Sequence, residues 1–426
     1  MARSVRAVHV VSCSALQTAL LDGVAMDFPV SDVATRQDAF IVSGWMLDKR
    51  HRLERLWVQA STGPINVAFD RFRHGGLPNS GPEDRFGYSF VVNLWEMPEQ
   101  NTIEVYGVFK GSEESLLLFR FEVVYLDIEV SPALTPIIIT SMGRSGTTLL
   151  MGLLSRHPAV AAPLVFPYEE RFASYYANAF REISVVGTSG EVTQTGVVRA
   201  ALGTGVNNVL KPGLFKRLRS DARLNLCTAL IAQNANAVRQ IIDACYSGFA
   251  PGQNSEFFAE KMIGYFKTQS ALYTLYPDLK EIILVRDFRD TFTSAMKFNE
   301  KRGIRGFGAE QSRDDGEWIS KFSTDAAEIM SAAKQRPNSF VIQYEDLIRD
   351  TGAQLQKLFR WLNIEAGEAV VSRCISDAEA ETNKGHLTSA TPEASVSRWR
   401  TDLDPQIARM ACSKLEAPLR YFGYSL

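Results

Sequence analysis

Between Pro136 and Leu154 the chain passes from P-I-I-I-T into Ser141-Met142-Gly143-Arg144-Ser145-Gly146-Thr147-Thr148 and then into the apolar run Leu149 to Leu154. The order is strand, glycine loop, helix. Glycines let a backbone turn tightly and aim successive N–H groups at one point. The helix that follows adds partial positive charge at its N-terminus, so the arrangement suits a phosphate. Arg144 adds a charged fork, and Ser145, Thr147 and Thr148 add hydroxyls. Two other chemistries each lack an essential residue. A nucleotide-binding P-loop, G-x-x-x-x-G-K-S/T, needs a lysine directly after Gly146, where Thr147 stands. A serine-hydrolase elbow, G-x-S-x-G, needs a glycine at that same position. A tight turn in which Thr147 and Thr148 only cap the helix is the plain alternative.

Further along, the apolar pattern Glu281 to Val285 ends in Arg286-Asp287-Phe288-Arg289-Asp290, and the helix that follows carries Ser294. A dianionic phosphate asks for a charged donor and a hydroxyl, each such bond contributing roughly 1.5–3 kcal/mol. Two other readings stay open. R-D-F-R-D is also a salt-bridge lattice, and Asp287 is also the end of a Walker B strand, as a magnesium-dependent kinase requires.

The two motifs together resemble the sulfotransferases that use 3′-phosphoadenosine 5′-phosphosulfate (PAPS). That resemblance implies a P-loop kinase-like α/β fold: a mostly parallel sheet with flanking helices. It implies that Arg144, Ser145, Gly146, Thr147 and Thr148 hold the 5′-phosphosulfate, that Arg286 and Ser294 grip the 3′-phosphate, and that no metal is needed. Ser395-Val396-Ser397-Arg398-Trp399-Arg400 is similar to the family's closing S-x-x-R-W-R segment, which implies that Arg398 reaches the 3′-phosphate with Trp399 nearby. Phe340 to Leu347, with its Y-E-D-L turn, is similar to a structural strand and turn of the family. Ala259-Glu260-Lys261 resembles the family's E-K-T-P segment, implying that Lys261 stabilises the leaving group, although Met262-Ile263 replaces Thr-Pro. Related enzymes carry a glutamate base shortly after the loop helix. Here Phe166-Pro167-Tyr168-Glu169-Glu170-Arg171 supplies Glu169, with Glu170 in reserve. His157, followed by Pro158, reads as a helix-ending residue rather than the base. The catalytic set expected is thus Glu169, Lys261 and Arg144.

The elements that must position these residues fall into two textures. From Ala39 to Tyr125, short β-branched and aromatic runs are broken by Gly, Pro and Asn. The strands expected are Ala39 to Leu47, Leu56 to Ala60, Ile65 to Phe69, Tyr88 to Leu94, Ile103 to Phe109 and Leu116 to Tyr125. With turns at Ser61 to Pro64 and Pro78 to Pro82, they make a small all-β sandwich over residues 1–130. After Pro136, fully apolar runs alternate with helical patterns. Ile137 to Ile139, Ile282 to Val285 and Phe340 to Ile342 read as strands buried on both faces of a parallel sheet within a catalytic domain spanning 131–426. Leu355, Leu358, Phe359 and Leu362 make a core-facing helix stripe. Residues 185–255, with a Gly-rich entry and a helical stretch from Leu224 to Cys245, are too long for a simple crossover and read as an insertion that covers the site.

The sandwich is loosely similar to modules attached to bacterial sugar-modifying enzymes. That implies a glycan acceptor, with Trp45, Trp57 and Tyr88 as stacking platforms, although a protein tyrosine or a lipid-linked sugar fits the motifs equally. A magnesium-dependent kinase and a non-catalytic nucleotide-binding scaffold are the alternatives from other classes.

Composition narrows the rest. The 426 residues carry 46 Lys+Arg against 48 Asp+Glu, so no basic excess is available for a nucleic-acid backbone. The five cysteines are scattered with no C-x-x-C, which indicates neither a disulfide framework nor zinc. No uncharged apolar stretch reaches the roughly 18 residues of a membrane span. Ala7 to Leu21 follows Arg3 and Arg6 as a secretory signal would, but His9, Ser12, Cys13, Ser14 and Gln17 interrupt it. A cytoplasmic location is expected.

Overall fold

The computed structural model describes residues 2–36, 39–48, 53–60, 63–67, 69–73, 85–94, 99–111, 114–164, 166–183, 217–249, 255–263, 272–336, 338–380 and 388–426. The turn at Pro78 to Pro82 and the Gly-rich entry to the insertion lie outside these residues.

Ten strands build the front part: β1 (Ala2–Ala15), β2 (Gly23–Phe28), β3 (Val33–Arg36), β4 (Ala39–Leu47), β5 (Leu53–Ala60), β6 (Gly63–Val67), β7 (Phe69–Arg73), β8 (Arg85–Asn93), β9 (Thr102–Phe109) and β10 (Ser115–Ala133). They form an antiparallel six-stranded sheet, β3-β1-β10-β9-β5-β6, and a four-stranded sheet, β2-β4-β8-β7. Alternate residues meet between the two: Phe119, Phe121 and Val123 of β10 against Phe40 and Val42 of β4 and Tyr88 and Phe90 of β8. Between the first of these, Arg120 turns outward to pair with Glu104 at 2.6 Å. The sandwich is therefore the expected one, except that the single strand expected over Ile65 to Phe69 is two: β6 ends at Val67 in the six-stranded sheet and β7 begins at Phe69 in the four-stranded one. Residues 2–15, whose polar interruptions resemble a spoiled signal, form β1, which pairs with β10 from Ala2↔Ala133 to Ala15↔Phe119. Tyr88 is 0% exposed with its hydroxyl on the Ala25 carbonyl at 3.0 Å, so it is core and not a stacking platform.

The second part carries a parallel sheet in the order β12-β13-β11-β14-β15, where β11 is Thr135–Ser141, β12 Val160–Ala161, β13 Phe257–Ile263, β14 Lys280–Val285 and β15 Phe340–Gln343. Its helices are α1 (Thr147–Leu154), α2 (Phe172–Ile183), α3 (Ser220–Ser247), α4 (Phe288–Arg302), α5 (Asp315–Gln335), α6 (Tyr344–Arg349) and α7 (Thr351–Leu362), followed by further helices to Tyr421. β11 is central, and all seven of its residues are buried. β15 departs from expectation: it is an edge strand, so Val341 is 44% exposed while Ile342 is buried. The α7 stripe Leu355, Leu358, Phe359 and Leu362 is fully in the core. No helix among the described residues is long and apolar enough to cross a membrane.

Strand β10 runs past residue 130, and the two parts share a core. One face of α3 supplies Ile231, Ala235, Val238 and Ile242 to a cluster that also holds Val5, Ala7, Val33 and Ala34 of the six-stranded sheet and Phe258 and Met262 of β13. The described part of the insertion therefore lies between sandwich and sheet rather than over the glycine loop. Asn236 Oδ1 accepts from Ser131 N at 2.8 Å and Asp243 Oδ1 from Leu134 N at 3.2 Å, fixing the joint.

Burial raises the Asp243 carboxyl to about 6, against the opposing pull of Leu134 N–H and Arg239. Ionisation thus costs the folded state more than the unfolded chain. On this account stability is highest below the ordinary aspartate value and falls as the pH rises through about 6. Asp243→Asn keeps an acceptor for Leu134 without the charge. It should stabilise the protein by about 1–2 kcal/mol near neutral pH and hardly at all near pH 4, read from melting curves at the two pH values.

Candidate active site

The glycine loop leaves β11 at Ser141, whose Oγ donates to Leu284 O at 2.7 Å. Arg144 (φ 73°) and Gly146 (φ 94°) take left-handed backbone. At Gly146 this is obligatory in a second way, since a Cβ would sit 2.4 Å from Cδ2 of Tyr344. Gly146 is the N-cap of α1, and no side chain caps the helix, so its first N–H groups are directed at the loop's concavity. Ser145 Oγ lies 3.5 Å from Thr291 Oγ1 on α4.

Around this concavity the structure brings together Arg144, Arg286, Ser294 and Arg398. Arg286, at the end of β14 and 4% exposed, donates Nη1 to Arg144 O at 3.1 Å and Nη2 to Ser395 O at 2.6 Å, with its guanidinium 4.8 Å over the Tyr344 ring. Its Nε is buried with no hydrogen-bond partner among the described residues. Arg144 Nε donates to Ser294 Oγ at 3.4 Å, and its guanidinium covers Phe298 at 4.5 Å. Arg398 donates Nη1 to Thr388 O at 3.0 Å and to Thr388 Oγ1 at 3.2 Å. Burial first, and then the charges of Arg286 and Arg398, draw Arg144 down to about 10. Three arginines that repel one another beside an uncapped helix N-terminus make a site that an anion relieves.

The remainder of R-D-F-R-D is a lattice, as one reading of the sequence had it. Asp287 caps α4 through Arg289 N at 2.9 Å and pairs with Arg289 Nη2 at 2.7 Å, so its carboxylate is engaged away from the loop. Arg289 in turn lies 4.0 Å over Trp399 and donates to Ser425 O at 2.6 Å. Asp290 accepts from Ser397 N at 2.6 Å and Trp399 N at 2.9 Å. Trp399 consequently packs in the core beside Phe288 and Phe422. These bonds hold the Ser395 to Arg398 segment against α4, which places Arg398.

Strand alternation divides Glu260 from Lys261. Lys261 is 2% exposed on the α1 face, where Nζ donates to Pro167 O at 2.7 Å and Thr148 Oγ1 at 3.5 Å and pairs with Glu169 Oε1 at 3.2 Å. Burial lowers the ammonium below its ordinary value, and Glu169 pulls it back up. Glu260, on the opposite face, accepts from Ala173 N at 2.9 Å, Ser174 N at 3.1 Å and Tyr246 OH at 2.5 Å, and also from the Ser174 hydroxyl. The segment bearing Glu169 is therefore held at one end by Lys261 and at the other by Glu260. Glu169 is half-exposed, its side chain open to a second molecule, whereas Glu170 Oε2 is buried without a hydrogen-bond partner among the described residues. His157 accepts from Ala159 N at Nδ1 (3.1 Å), so Nε2 carries the proton donated to Glu365 O at 2.9 Å. It is a structural residue and not a base.

A family model described as the sulfotransferase family matches residues 136–368, more than half of the chain. The chain belongs to the sulfotransferase family. Among solved structures, the sulfotransferase is similar to the sulfotransferase domain of the curacin biosynthetic pathway: 19% identity over 70% of this chain and 100% of that one, TM-score 0.43. It is similar also to a sulfotransferase from Alicyclobacillus acidocaldarius, with 15% identity, 69% and 98% coverage and a TM-score of 0.37. A mouse sulfotransferase complexed with PAP gives 12%, 67% and 85%, and 0.36. No curated protein matches the chain in sequence.

Three residues of this candidate site escape a reading from sequence. Tyr344 appears in the Y-E-D-L turn but not as the ring that roofs Gly146 and carries Arg286. Glu260 reads as half of a motif, and only the strand's alternation shows that it holds α2. Thr388 carries no motif; its place is set by Ser294 and Arg398.

Proposed function

We propose that the chain transfers a sulfuryl group from PAPS to an acceptor hydroxyl, with a carbohydrate as the acceptor class. The observation that carries the reading is the arginine-lined concavity at the uncapped start of α1, with the buried Arg286 Nε left over as a donor. The loop N–H groups with Arg144, Ser145, Gly146, Thr147 and Thr148 would hold the 5′-phosphosulfate. Arg286, Ser294 and Arg398 would hold the 3′-phosphate, whose presence distinguishes PAPS from ATP. The acceptor class rests on the front module. There Trp57 is half-buried and stacks on Tyr106 with centroids 4.4 Å apart, while Trp45 lies over Gly23.

In this reading Glu169 takes the proton from the acceptor hydroxyl as its oxygen bonds to sulfur. The bond from sulfur to the bridging phosphate oxygen breaks, and its electron pair leaves with the phosphate. Lys261, reaching Thr148 at the head of α1, neutralises the charge that develops there, and the loop N–H groups share it. Glu169 is well placed because the lysine fixes it beside the loop without covering it.

The test is thermal stabilisation by adenosine 3′,5′-bisphosphate (PAP) without metal, set against ATP with and without magnesium. The bisphosphate alone should stabilise the protein, and Arg286→Ala should weaken its binding by roughly 10- to 100-fold. Preference for magnesium-ATP would overturn the donor assignment in favour of a kinase. Unchanged PAP binding in Arg286→Ala would remove that arginine from the site.

A further inference from the structure

Ser294 and Arg398 reach the concavity from elements far apart in the chain, and both turn to the same side chain. Thr388 Oγ1 lies 3.1 Å from Ser294 Oγ and 3.2 Å from Arg398 Nη1, and the same nitrogen donates to Thr388 O at 3.0 Å. Arg398 is anchored from behind by Asp402, through Nε at 3.0 Å and Nη2 at 2.9 Å, which leaves Nη1 as the donor turned towards Thr388. Arg144 closes the group from the loop side through Ser294.

We propose that Thr388 is a third side chain contacting the donor's 3′-phosphate, and that it contributes to the choice of a 3′-phosphorylated nucleotide. This rests on the donor reading above. The geometry is that of neighbouring donors. The Thr388 hydroxyl lies about 3 Å from both Ser294 Oγ and Arg398 Nη1, so an oxygen that docks against these two groups at hydrogen-bond distance comes within reach of the third. The chemistry concerns which groups can change partners. A guanidinium only donates, whereas a hydroxyl donates and accepts. In the structure one of the two hydroxyls donates to the other, and that of Thr388 accepts from Arg398. A phosphate, which only accepts, lets both O–H groups turn to it while Arg398 keeps its bond to the Thr388 carbonyl. The segment therefore need not move for Thr388 to become a donor.

The experiment is titration of PAP and of adenosine 5′-phosphate, which lacks the 3′-group, into the wild type, Thr388→Val and Thr388→Ser. Valine keeps the shape of a half-buried threonine and removes only the hydroxyl, and a melting curve checks its folding. The valine variant should lose roughly 10- to 100-fold in PAP affinity, the range of a hydrogen bond to a charged group. Its affinity for the monophosphate should stay within about 2-fold, and serine should restore PAP binding to within about 3-fold. PAP binding unchanged in the valine variant overturns the proposal. So does an equal loss for both nucleotides, which would mean that Thr388 only shapes its segment. Tighter PAP binding overturns it as well, since the hydroxyl would then occupy the phosphate's place. A wild type that binds the monophosphate but gains nothing from the 3′-phosphate overturns the donor reading itself, a result separate from any difference between variants.

Discussion

Glu169→Gln should lower turnover by about 10²- to 10⁴-fold, the usual contribution of a positioned general base, while PAP binds as it does to the wild type. Glutamine keeps an oxygen for Lys261 and removes the ability to take a proton. The loss should therefore appear at saturating donor and acceptor. The substitution also has an electrostatic signature. Glu169 is the group that holds up the proton affinity of Lys261 against burial. Without it the lysine loses its proton at lower pH, so the alkaline limb of the residual activity should shift to more acidic values. Full turnover in Glu169→Gln together with an inactive Glu170→Gln would move the base by one residue. Full turnover in both would falsify a carboxylate base in this segment.

Lys261→Met is expected to cost about 10²- to 10³-fold in turnover, the scale found when one preorganised donor to a developing oxyanion is removed. Methionine fills the buried path of the lysine stem, so the loss reports the ammonium rather than a cavity. Pro167 O and Thr148 Oγ1 lose their donor at the same time. Donor affinity should fall far less than turnover, because the charge that Lys261 meets grows only as the sulfur leaves. A variant whose affinity for PAPS and turnover fall by the same factor would mark Lys261 as a ground-state binding residue.

The parts of the site legible in the sequence are those whose geometry is local. Ser141 to Leu154 writes out strand, loop and helix in order, and the interval from Arg286 to Ser294 is set by one strand end and the helix that follows it. The sandwich strands from Ala39 onward declare themselves by alternation. β1 does not, because His9 and Ser12 break its apolar rhythm and its partner β10 lies more than a hundred residues away. β13 is similarly masked: F-F-A-E-K-M-I looks interrupted until Glu260 and Lys261 are seen to leave opposite faces, each with partners of its own. The edge position of β15 depends on strand order, which nothing in F-V-I-Q specifies. Trp399 and Arg398 are neighbours with different fates, one in the core and one at the site, because Asp290 fixes the backbone between them.

Helix α3 has a consequence for how such a chain can be taken apart. Ile231, Ala235, Val238 and Ile242 are sealed on one side by strands from the front sheet and on the other by the sheet that carries the loop. Cutting at residue 131 would sever β10 and strip its partner strands from this helix, leaving an oily scar on an otherwise intact transferase. The module is thus better regarded as the missing outer wall of the transferring half than as a detachable appendage. A shortened version that stays dispersed in solution should need those apolar positions repainted with polar side chains first.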